Sequence, residues 1–180
     1  MVSQTEIPSL DSLEYFLYID DQGCIPEDFQ GKIGVYAIFD QGKNLQFVGY
    51  SRDIYLSLKQ HLVRCPKQCY WLKVETISRP SRTILAGIKQ AWIEDNQSVP
   101  VGNGTEEGKW NKPFDVKPLM TEEEKQQYDK LEEFAQTKLL KKIARRFEAD
   151  ILKEVEAMGV KMELRFNPKL KEQGLLDLKS

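Results

Sequence analysis

Twenty residues, GVYAIFDQGKNLQFVGYSRD from Gly34 to Asp53, restrict the fold more than any other part of the chain. Two apolar runs of strand length, GVYAIF and LQFVGY, flank the polar segment DQGKN. A connection this short makes the two strands pair antiparallel as a hairpin. The pairing sets Tyr36 opposite Gly49 or Val48. Ser51 or Asp53 then supplies the N-cap of a helix running to about Arg64. Ile54, Leu58, His61, Leu62 and Cys65 share one stripe of that helix.

Around this unit the pattern predicts an α+β fold, a small sandwich with a three-stranded antiparallel sheet flanked by helices. LEYFLYIDDQGC (Leu13 to Cys24) reads as a strand and turn, and CYWLKVETI as the third strand of the sheet. Pro80-Ser81 opens a second helix to about Asp95, with Ile84, Ile88, Ala91 and Trp92 inward. PVGNGTEEGKWNKPFDVKP reads as a long loop. Thr121 and Glu124 form a capping box for a helical pattern that ends at Gly159. That run is long enough to require a kink or split near Gln136, and VKMELRF after it alternates as an edge strand. The expected division is therefore an N-terminal strand and turn segment (1–28) packing on the core, a domain (29–98), a loop (99–120) and a mostly helical C-terminal extension (121–180).

The chain has 180 residues and no apolar run near the roughly 20 that a membrane helix needs. Its first residues lack a basic n-region and an apolar h-region, and its three cysteines are sparse and odd in number. Both observations lead to an expectation of a cytoplasmic protein in a reducing compartment. Net charge is −2, which excludes a wholly basic nucleic-acid binder, but Lys32 to Arg82 holds nine Lys/Arg against three Asp/Glu. That middle third could hold a phosphate polyanion; ordinary variation along a surface explains it equally well.

The order strand–turn–strand–helix–strand–helix, with GVY opening the first strand and FVG following eleven residues after Tyr36, resembles the GIY-YIG nuclease family over about Gly34 to Asn96. The resemblance implies cleavage of phosphodiester bonds in DNA with Mg²⁺ or Mn²⁺. It assigns Tyr36 to the activation of water, His61 to acid–base assistance and Glu94 to the metal. It places Gly49, Tyr50, Arg52, Lys59 and Arg64 along the nucleic acid. Two family positions differ: Phe47 stands for a tyrosine, and Ser57 for an arginine. Serine cannot supply the forked positive charge that stabilises a phosphoryl transition state. The resemblance therefore implies either an endonuclease or a catalytically weakened, nuclease-derived DNA-binding protein. The alternative is a non-catalytic scaffold that docks a protein partner through the long C-terminal helix. DNA and a protein are the expected partners, and no membrane.

Each residue also has a plainer reading. Tyr36 suits a core or rim aromatic, His61 a buried hydrogen-bonded histidine, and Glu94 a solvated acid. His61, Cys65 and Cys69 have metal-ligand residue types but lack the tight C-x₂-C spacing of zinc sites. The basic run KLLKKIARR is expected to be neutralised by Glu132, Glu133, Glu148 and Asp150 at helical distances.

Overall fold

The computed structural model describes residues 7–179; the first six residues of the N-terminal segment lie outside it. In chain order the elements are β1 (Phe16–Leu17), β2 (Ile33–Phe39), β3 (Leu45–Ser51), α1 (Ile54–Arg64), β4 (Trp71–Ile77) and α2 (Arg82–Asp95). There follow α3 (Glu107–Asn111), β5 (Phe114–Asp115), α4 (Glu122–Lys130), α5 (Glu133–Ala157), α6 (Pro168–Lys171) and β6 (Leu175–Leu176). The α+β class holds, but the main sheet has four strands, ordered β1-β4-β2-β3 and antiparallel throughout. The additional strand arises because Phe16 and Leu17 pair with Leu72 and Trp71 on the sheet edge.

Strand β2 is central, with Tyr36 opposite Gly49 on β3 and Val74 on β4. Helices cover both of its faces, which explains why GVYAIF is continuously apolar rather than alternating. Tyr36, Ile38, Phe47 and Leu72 pack with Ile54, Leu58 and Leu62 of α1. Val35, Ala37, Phe39 and Val48 pack with Leu85, Ile88 and Trp92 of α2. The two helices thus lie on opposite faces of the sheet. Asp53 caps α1 by accepting from the Leu56 amide, and Ser81 caps α2 by accepting from that of Ile84. Along α2 it is Leu85 that turns inward, whereas Ile84 is exposed.

The segment expected to be a loop carries structure. A 3-10 turn at Val101–Asn103 lies along β3, where Asn103 donates to the Val48 carbonyl and accepts from its amide. One side chain thereby satisfies part of an otherwise open sheet edge. The Thr121–Glu124 capping box forms. The long helix breaks at Leu131, which is extended, and not at Gln136. Gln136 instead donates to the Tyr128 carbonyl, which also accepts from the Leu131 amide at the end of α4. VKMELRF forms no strand; Phe166 makes a single bridge to Leu178, and β6 pairs with β5. Val116, Ile143, Ala144, Ile151, Phe166, Leu176 and Leu178 bury one another, joining α5 to the C-terminal segment. Among the described residues no helix is long and apolar enough to cross a membrane.

Candidate functional site

Two of the expected site residues meet. The Tyr36 hydroxyl and His61 Nε2 are 2.7 Å apart. They do so in the interior, since Tyr36 is 3% and His61 4% exposed. The His61 ring lies 4.7 Å from that of Phe47, and Phe47 stacks parallel to Trp110 of α3 at 5.1 Å. Burial pushes the Tyr36 phenol up and, together with the Arg64 charge, drives His61 down to about 3. At neutral pH both groups are uncharged. Phe47 and Trp110 pack against the pair and leave little of either group exposed.

The gap expected beside Gly49 is closed by the same rings. A Cβ at Gly49 would stand 2.6 Å from Phe47 Cε1 and 2.7 Å from the Tyr36 oxygen. Glycine here lets two aromatic side chains close over the backbone; it does not admit a nucleotide link. Glu94 does not join Tyr36 and His61. It lies exposed on α2, across the sheet from Tyr36 and His61, and accepts from Gln90. Among the described residues no three His, Cys, Asp or Glu side chains gather as a metal site. The expected phosphate track also disperses. Arg52 is exposed, Lys59 lies over Tyr55, and Lys89 lies over Tyr50. Arg64 is buried. Ser57, at the place of the missing arginine, bonds to Ser51 at 2.7 Å.

Arg64 begins a different site. One terminal nitrogen donates to the Trp110 carbonyl at 2.9 Å, and the other to Asp177 at 2.8 Å. This ion pair is buried, so removing either partner would leave the other in the interior without its counterpart. Arg64 Nε, however, is buried with no acceptor. Arg64 also lines a cavity of about 380 Å³ with Cys65, Pro66, Lys67 and Gln68. Lys109 and Phe114 form another side, and Phe147, Asp150, Ile151 and Glu154 of α5 the third. Lys67 reaches Glu154 at 3.6 Å. The cavity exists because Pro66 stops α1 and turns the chain away just where α5 crosses. Sequence reasoning placed Arg64 on a nucleic-acid surface and missed the cavity. The local signal was the Cys65-Pro66 helix stop beside two charged residues.

All three cysteines are free. Burial pushes Cys65 up to about 12, against the attraction of Lys109, and pushes Cys69 well above its ordinary value. Neither is a ready thiolate.

No family model matches the chain. Over 74 residues it is 39% identical to the bifunctional monothiol glutaredoxin-S16, chloroplastic, of Arabidopsis thaliana. The match covers 39% of this chain and 25% of that protein, so the chain spans about a quarter of the relative's length. This similarity runs against the nuclease-family resemblance and, with it, against the endonuclease, DNA-binding, hydrolase and magnesium expectations. The similarity leads to a protein named for thiol redox chemistry, and the residues meant for phosphodiester cleavage are sealed in the core or separated by the sheet.

Proposed function

We propose that this chain serves thiol redox chemistry as a binder of a small zwitterionic thiol peptide of the glutathione type. The observation that carries the proposal is the cavity beside Cys65, which sets both signs of charge around an apolar wall. Lys67 and Lys109 offer positive charge for a ligand carboxylate, while Asp150 and Glu154 offer sites for an ammonium group. Phe114, Phe147 and Ile151 supply apolar wall. The volume lies in the range of small-molecule sites. The similarity to a protein named as a glutaredoxin supports the redox setting.

In this reading the chain holds its ligand and does not itself attack disulfides, because a thiol pushed up to about 12 is protonated at neutral pH. An iron–sulfur cluster does not fit the residues present: Cys65 and Cys69 are buried thiols, and no third ligand joins them among the described residues. Three free thiols suit a reducing compartment, such as the cytoplasm. Calorimetric titration with reduced glutathione tests the proposal. Binding is expected in the wild type, retained in Cys65→Ser and weakened about tenfold by Lys109→Glu, an exposed position that leaves the fold intact. No heat at millimolar glutathione, or identical binding in Lys109→Glu, overturns it.

A further inference from the structure

The basic run on α5 is not neutralised as its sequence leads one to expect. Glu148 pairs with Lys171 of α6 at 2.6 Å, and Arg146 pairs with Glu124 of α4. Among the described residues Lys138, Lys141, Lys142 and Arg145 form no ion pair. Their spacing puts all four on one helical face, opposite the buried Leu140, Ile143, Ala144 and Ile151. Phe134 continues the same face. It is 73% exposed, with the Lys138 ammonium 4.6 Å from its ring centre. From Phe134 to Arg145 the stripe runs about 16 Å along a straight helix.

We propose that this stripe attaches the protein to an anionic lipid surface, a property separate from the cavity reading. Four unpaired cations on one face of a molecule of net charge −2 are complementary to a polyanion. The residues of α5 that line the cavity are on its other side, so the stripe is a convex face and not a groove for a peptide. Between the two extended polyanions, duplex nucleic acid and a bilayer, Phe134 decides. Paired bases leave it nothing to stack on, whereas the interfacial zone of a bilayer takes up a phenyl ring. Four cations and one inserted ring give the two signals that reversible attachment needs. The expectation of no membrane rested on the lack of a spanning helix, and attachment to a surface requires none.

The experiment is co-sedimentation of the full chain with vesicles of phosphatidylcholine alone or mixed with phosphatidylglycerol. The protein is expected to pellet only with the anionic vesicles and to be released as salt rises. Each cation contributes roughly fivefold, so the triple variant Lys138→Glu, Lys142→Glu, Arg145→Glu should bind at least about a hundredfold more weakly. Phe134→Ala should weaken binding severalfold without altering its salt dependence. All four positions are exposed, so unchanged circular dichroism is expected. Failure to pellet with anionic vesicles at low salt overturns the proposal. So does equal binding by the triple variant, or retention of duplex DNA without retention of vesicles.

Discussion

His61 and Arg64 lie three residues apart on α1 and are both buried, yet the fold treats them oppositely. His61 faces β2, β3 and Trp110 and is held neutral by its surroundings. Arg64 faces the C-terminal segment and meets Asp177. The difference lies in what covers each residue. Aromatic rings close over the first; a carboxylate and a cavity meet the second. A polar side chain on a core-facing stripe thus becomes packing or binding machinery according to partners that the helix itself does not specify.

The sharpest way to break this comparison is to remove the partner. Asp177→Ala would leave the Arg64 charge buried and unpaired, and should cost about 3–5 kcal/mol in urea unfolding. The double variant Arg64→Met, Asp177→Leu should recover most of that loss. If Asp177→Ala were nearly neutral, Arg64 would be solvated like any surface cation and the contrast with His61 would collapse.

The next effect is one of pH. The folded His61 titrates near 3, below its ordinary 6.5, so between those values the unfolded chain takes up a proton that the fold refuses. Stability is therefore complete above about 6.5 and falls as pH drops towards 3, by a few kcal/mol at most on the order of the shift. His61 is the single histidine, so the upper part of this window should be nearly flat in His61→Gln. A wild-type stability unchanged between pH 7 and 5 would mean that solvent reaches the imidazole.

Gly49→Ala probes the closure directly. The new methyl group would meet Phe47 Cε1 at 2.6 Å and the Tyr36 hydroxyl at 2.7 Å. Overpacking of this kind costs about 1–3 kcal/mol. An open nucleotide-sized gap would accept alanine without loss, so thermal unfolding of this variant separates the two descriptions.

What was legible in the sequence was local. The hairpin register, the Asp53 cap, the α1 stripe and the Thr121–Glu124 box each depend on residues close in the chain, and each forms. Glu94 went astray because no periodicity tells which face of a sheet a later helix will cover. Arg64 went astray because Asp177 is 113 residues away. The cavity escaped notice because its walls come from three distant stretches, around Cys65, Lys109 and Ile151. The nuclease reading failed for a related reason. A hairpin followed by a capped helix describes an arrangement of elements, and chemistry depends on whether solvent and substrate can enter it.

Tyr36→Phe gives the smallest and most discriminating effect. In the closed cluster the hydroxyl bonds to His61 Nε2, with Ser57 as a second neighbour, so its removal strands a buried ring nitrogen and should cost about 1 kcal/mol. A phenol poised for catalysis would behave in the opposite way. Such groups are held at some expense to the fold, and replacing them is neutral or stabilising. The exposed Glu94 is the internal standard, because Glu94→Gln should change stability by no more than about 0.5 kcal/mol. Denaturant midpoints for the three proteins, with equal slopes, therefore rank the wild type with Glu94→Gln and place Tyr36→Phe below both. A Tyr36→Phe protein at least as stable as the wild type would show that the hydroxyl is not part of the packing, and that the interior around His61 is less closed than four converging rings make it.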